Sequence, residues 1–197
     1  MRPLPFVWPY ALVYWVIYVI AFYPEMKIVR DARISARREG SKDRGSVNVI
    51  LGVNWIALMV AYPAAFITSW MFPRNLLVPL FILGVALTVL GSILRRVCWR
   101  ALGIYFTGDV QAIEDQPVIR DGPYRFVRHP SYTGGMMMFI GIGFALGNWI
   151  SVLLLTAASI ISYTYRVSVE ERALVEAIGA PYEDYMKERK RFIPFIV

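Results

Sequence analysis

Five long apolar runs, separated by segments that hold almost all of the charge, constrain this chain more than any other feature. A helix that crosses a bilayer needs about 20 mainly apolar residues. Residues 6–23, 47–72, 76–94, 132–146 and 150–165 supply such runs. The last two are short and are divided only by Gly147-Asn148-Trp149. Gly-Asn is a turn signal, so the two read as a tight helical hairpin. Pro63, inside the second run, predicts a kink. The chain is 57% hydrophobic and only 18% charged, against roughly 25% charged for an average soluble domain. The expected fold class is an all-α integral membrane protein with about five transmembrane helices.

The charges give that architecture a direction. Of the 21 lysines and arginines, 19 fall in residues 24–46, 95–130 and 166–197. Five spans put all three segments on one side. The positive-inside rule makes that side cytoplasmic, with the N-terminus outside and the C-terminus inside. The net charge of +7 is then explained by basic residues facing a lipid leaflet. No contiguous basic and aromatic stripe points to nucleic acid. The opening MRPLPFVWPY lacks the basic region and cleavage site of a signal peptide, so the first run reads as retained. We divide the chain into residues 1–94, three N-terminal spans with a basic cytoplasmic loop, and residues 95–197, a catalytic region. The stretch KIVRDARISARREGSKDRG in the first loop reads as a charged loop or short helix. The C-terminal segment reads as helical to about Ile178, broken at Gly179-Ala180-Pro181, and then amphipathic. Cys98 is the single cysteine and His129 the single histidine, so neither an intrachain disulfide nor a bound metal is expected.

His129 lies in RHPSYTGG, where a polar stretch gives way abruptly to the fourth run. Pro130 biases His129 away from helical backbone and suits the first turn of the helix that follows. His129 therefore stands at a helix N-terminus on the membrane boundary, where free amides and the helix dipole favour anions. Two readings stay open: an interfacial histidine flanked by snorkelling arginines, or part of a binding site. Arg166 and Glu170 are four residues apart, so on a continuing helix they share one face, and they too have a plain reading as an exposed ion pair. The hairpin decides how these groups relate. Its turn is outside, so both inner ends lie on the same side. Antiparallel arms would bring His129 to Arg166, Glu170 and Glu171, and convergent polar groups beside apolar helices mark ligand sites. Gly134, Gly135, Gly141 and Gly143 suit close packing of membrane helices.

VIRDGPYRFVRHPSYTGG, then an apolar hairpin, then YRVSVEERALVEAIGAPYEDYMKERKRFIP resembles the isoprenylcysteine carboxyl methyltransferase family of integral-membrane enzymes. The resemblance covers Arg95 to the C-terminus, about half of the chain. It implies S-adenosyl-L-methionine as cofactor, bound in a cytoplasmic pocket, and a lipophilic or lipidated acceptor reached from the membrane lipids. Gln116, Val118, Ile119 and Tyr124 look like the loop that lines the cofactor, although Gln116 stands where many relatives have another polar residue. His129, Pro130, Ser131 and Tyr132 match the cofactor-contacting element, and Glu170, with Glu171 beside it, the cofactor-contacting glutamate. Arg166 matches the arginine beside the acceptor, so Arg166 and Glu170 are the implied catalytic pair. Tyr182, Tyr185 and Pro194 fit the tail pattern as structural residues. The implied reaction is O-methylation of a carboxylate such as a prenylcysteine. The alternatives are N-methylation of a phospholipid or other lipid amine, an NADPH-dependent reductase like the membrane sterol reductases, and a membrane protein without catalytic activity.

Overall fold

The computed structural model describes residues 2–35, 45–105 and 117–194. Gln116 and residues 36–44 of the basic loop lie outside the described residues. Six helices carry the described chain: α1 (Tyr10–Ser35), α2 (Ser46–Ala64), α3 (Arg74–Leu102), α4 (Pro130–Leu146), α5 (Trp149–Ile178) and α6 (Ala180–Glu188). Three of them, α2, α3 and α5, are long and apolar enough to cross a membrane. The apolar part of α1, Tyr10–Met26, and the 17-residue α4 are shorter. The chain is an all-α integral membrane protein.

Helix α4 occupies the middle, with α3 against one side and α5 against the other; α2 packs on α5 and α1 on α3. Glycine sets how close α3 and α4 come. A Cβ on Gly91 would stand 2.5 Å from the carbonyl oxygen of Gly134, and a Cβ on Gly141 would stand 2.5 Å from that of Gly84. Gly84 and Gly91 are two turns apart, as are Gly134 and Gly141, so the antiparallel backbones touch at both levels. Bilayers supply no hydrophobic drive between helices, and such backbone approach is what holds them. Leu58, Ala61, Ile142, Leu146 and Leu155 fill the junction of α2, α4 and α5.

Two proline segments differ from expectation. The apolar run that begins at Val47 does not stay helical through a kink to Phe72: α2 stops at Ala64, one residue after Pro63, and the chain turns through the short 3-10 helix Thr68–Trp70. The opposite holds at Pro24, beyond which a charged loop or short helix was expected: α1 continues unbroken to Ser35. Proline removes the amide that would bond the carbonyl four residues back, here Ile20. The Arg96 guanidinium donates to that carbonyl at 2.8 Å, so the orphaned acceptor is satisfied by a side chain and the helix persists.

The hairpin turn forms as the sequence suggests. Gly147 takes a left-handed φ of 69° and Asn148 caps α5, its Oδ1 accepting from the Ile150 amide at 2.9 Å. The Asn148 amide group also donates to Ala64 and Ile67 carbonyls, both at 3.2 Å, which ties the turn to the end of α2. Helix α5 runs on past its apolar part to Ile178, and the break at Gly179 (φ 70°) leads directly into α6.

Candidate active site

The antiparallel arms of α4 and α5 bring the beginning of one to the latter half of the other, and the sequence-expected residues meet there. His129 precedes Pro130, the first residue of α4. Its side chain is buried, with Nε2 3.2 Å from Glu171 Oε1 and Nδ1 4.0 Å from Glu170 Oε1. A carboxylate only accepts, so the Nε2–H of His129 donates to Glu171. One turn into α4, the Tyr132 ring stacks on the His129 ring at 5.7 Å between centroids. The Tyr132 hydroxyl donates to Glu170 Oε2 and accepts from Arg166 Nε at 3.2 Å. That hydroxyl therefore joins the carboxylate to the guanidinium that share a face of α5. Arg166 is buried, while the Glu170 side chain is 27% exposed: the two face different surroundings.

Glu171 plays another part. It is buried, and both of its oxygens are taken. Arg128 Nη2 lies 2.8 Å and His129 Nε2 3.2 Å from Oε1, while Arg191 Nη2 lies 2.7 Å from Oε2. Burial alone would raise its pKa; His129, Arg191 and Arg128 outweigh that and hold the carboxyl down to about 2. Glu171 is thus an ionised anchor that gathers three positive or donor groups from α4's approach and from the tail.

The tail forms a strap over the RHPSY element. The amides of Arg128 and His129 donate to the carbonyls of Lys190 and Arg191 at 2.8 and 2.9 Å. Thr133 Oγ1 donates to the Phe192 carbonyl at 2.9 Å. The Tyr185 hydroxyl donates to the Tyr124 carbonyl at 2.6 Å, which ties α6 to the turn that carries Tyr124. Tyr124 is buried in the turn Gly122–Arg125. Val118 and Ile119 lie half-buried in the segment leading to that turn.

Two features depart from the sequence reading. The helix terminus beside His129 offers few amides: Pro130 has none, and those of Tyr132 and Thr133 turn back to the His129 carbonyl at 3.1 and 3.2 Å. Further, the site reaches beyond the residues singled out from sequence. Ser131 receives Arg95 Nη1 at its carbonyl (3.0 Å) and its hydroxyl (3.3 Å). Arg95 in turn grips Glu25 of α1, with Nε 2.5 Å from Oε1 and Nη2 2.6 Å from Oε2. Arg166 Nη1 lies 2.6 Å from Ser46 Oγ at the start of α2. Arg95, Arg128 and Arg191 were visible only as members of basic clusters. Glu25 and Ser46 carried no sequence signal, because their partners lie 70 and 120 residues away.

A family model described as phospholipid methyltransferase matches residues 79–180. Among curated proteins, a protein-S-isoprenylcysteine O-methyltransferase of Dictyostelium discoideum is 31% identical over 143 residues, covering 72% of this chain and 60% of the relative. One of Tribolium castaneum is 31% identical over 144 residues, covering 72% of this chain and 51% of the relative. The chain thus spans between half and two thirds of the length of these two relatives. A solved structure of a eukaryotic intramembrane Ras methyltransferase, isoprenylcysteine carboxyl methyltransferase, shares the fold. Its TM-score is 0.63 at 20% identity, covering 94% of this chain and 85% of that one.

Proposed function

The chain belongs to the phospholipid methyltransferase family, and on that footing we propose that it transfers a methyl group from S-adenosyl-L-methionine to the carboxylate of a lipophilic acceptor of the prenylcysteine type. The observation that carries this reading is the Tyr132 hydroxyl between Glu170 and Arg166. It sets an acceptor-only carboxylate beside a donor-only guanidinium at the mouth of a membrane hairpin.

The donor set fits the cofactor. S-adenosyl-L-methionine supplies an electrophilic methyl group on a sulfonium. Glu170, the more exposed of the two glutamates, suits its ammonium or ribose hydroxyls. Val118, Ile119 and Tyr124 suit its adenine; Gln116, which the resemblance also implies, lies outside the described residues. His129, Pro130 and Ser131 shape the wall next to Glu170, and Glu171 holds His129 in place. Arg166, buried in a low-dielectric setting, suits an acceptor carboxylate through charge-assisted bonds. A carboxylate is ionised at neutral pH and needs no base, so orientation and exclusion of water suffice for the chemistry. We place this site on the cytoplasmic side of a five-span chain, with the N-terminus outside, because the basic segments gather at the Arg166 end.

The family description favours a second reading, N-methylation of a phospholipid amine. Against it, a buried guanidinium beside the acceptor repels an ammonium and offers no base to remove its proton. Calorimetric titration of detergent-purified protein with S-adenosyl-L-methionine tests the cofactor, with Glu170→Gln alongside and NADPH as control. We expect saturable binding of S-adenosyl-L-methionine, weakened in Glu170→Gln. Transfer of labelled methyl to N-acetyl-S-farnesylcysteine, and not to phosphatidylethanolamine vesicles, is the expected outcome for the acceptor. The reverse preference overturns the carboxylate reading, and binding of NADPH alone overturns methyl transfer.

A further inference from the structure

The family model covers residues 79–180, yet one contact to the acceptor-side arginine comes from outside it. Ser46, the first residue of α2, is fully buried and its Oγ accepts from Arg166 Nη1 at 2.6 Å. The position of Ser46 is dictated by the whole α2–α5 pair. Three polar contacts fix the register of these antiparallel helices. Ser151 Oγ donates to the Ala61 carbonyl at 2.8 Å, Asn54 Nδ2 donates to Ser162 Oγ at 2.8 Å, and Arg166 meets Ser46. In a bilayer no water replaces a lost partner, so these contacts resist slippage. They hold Ser46 opposite Arg166.

Among the described residues, Tyr132 of α4 holds Arg166 at Nε and Ser46 of α2 holds it at Nη1. A planar guanidinium held at two points has its plane fixed, and a side chain immobilised beforehand loses less entropy when a ligand arrives. We propose that Ser46 is a positioning residue for the methyl acceptor: it sets the plane in which Arg166 presents itself to the acceptor carboxylate. This rests on the assignment of Arg166 made above. It gives the N-terminal half of the chain a part in acceptor binding, separate from the cofactor side at Glu170.

The test uses the full chain in detergent, with Ser46→Ala, Ser46→Thr and Arg166→Lys. S-adenosyl-L-methionine binding is read by calorimetry, and KM and kcat with N-acetyl-S-farnesylcysteine. Ser46→Ala is expected to raise acceptor KM about tenfold, the loss of one hydrogen bond to a charged group, while cofactor affinity stays within about twofold. Ser46→Thr, which keeps the hydroxyl, restores KM. Arg166→Lys keeps the charge but loses the planar fork, and it too raises acceptor KM. If Arg166→Lys raises KM and Ser46→Ala does not, the inference about Ser46 is overturned and the assignment of Arg166 stands. If Arg166→Lys leaves KM unchanged, the assignment of Arg166 fails and the role of Ser46 with it. If Ser46→Ala weakens cofactor and acceptor alike, or Ser46→Thr fails to restore KM, Ser46 is only structural.

Discussion

Replacing Glu25 with glutamine while leaving Arg95 in place should destabilise the protein more than removing both charges. The two side chains are 15% and 8% exposed and meet through two short contacts, 2.5 and 2.6 Å. Two unit charges about 4 Å apart interact by about 4 kcal/mol at an effective dielectric of about 20, and removal of one partner from a buried pair costs about 3–5 kcal/mol because the other charge is stranded. Glu25→Gln should fall in that range, and Arg95→Met should strand Glu25 and also release Ser131 from two bonds. The double variant Glu25→Leu with Arg95→Met leaves neither charge of this pair. Its cost should be smaller than that of Glu25→Gln alone, and so well below the sum of the single changes, since paired charges replaced by apolar groups are often near neutral. For a chain of this size about 1 kcal/mol shifts the melting temperature by roughly 2–4 °C. Thermal melts followed by tryptophan fluorescence in detergent should therefore show losses of roughly 6–20 °C for Glu25→Gln and a partial recovery in the double variant. If the double change equals the sum of the single changes, or if Glu25→Gln melts with the parent, the pair does not hold α1 to α3 and this reasoning is refuted.

Glu171 gives a pH-dependent counterpart. Its folded pKa of about 2 lies below the ordinary value of 4.5, so the stability it contributes is present above pH 4.5 and is lost as pH falls towards 2. Melting temperature should drop through that window, and Glu171→Gln should already be destabilised at pH 7 and lack this part of the acid-induced fall; an identical acid profile in the variant would remove Glu171 as the anchor. Gly135→Ala offers a packing test. A Cβ there would lie 2.6 Å from Tyr163 Cζ, and the Tyr163 ring stands 5.4 Å from that of Tyr132. Overpacking of this kind costs about 1–3 kcal/mol, and methyl transfer should fall with it; a variant with parental melting and activity would show that the tyrosines can move aside freely.

What the sequence made legible followed from local signals. The Gly147-Asn148 turn, the break at Gly179 and the convergence of His129 with Arg166, Glu170 and Glu171 all depend on neighbours in sequence or on one hairpin, and hydropathy with turn chemistry was enough to place them. The errors and omissions share the opposite cause. The continuation of α1 past Pro24 was not legible, because the donor that satisfies the Ile20 carbonyl, Arg96, stands 76 residues from Ile20. Arg95 looked like one more cation facing a lipid leaflet, although a guanidinium buried with Glu25 and Ser131 does work that topology alone does not ask of it. In a membrane chain, charge count and charge placement carry different information. The excess of arginine in three segments supports the proposed orientation, and a single sequence displays that excess. Which of those arginines turn inward depends on where glycine lets helices touch, as Gly91 and Gly134 do one turn from Arg95. The close approach of α3 and α4 is thus what turns a residue of the positive-inside pattern into a support for the candidate site.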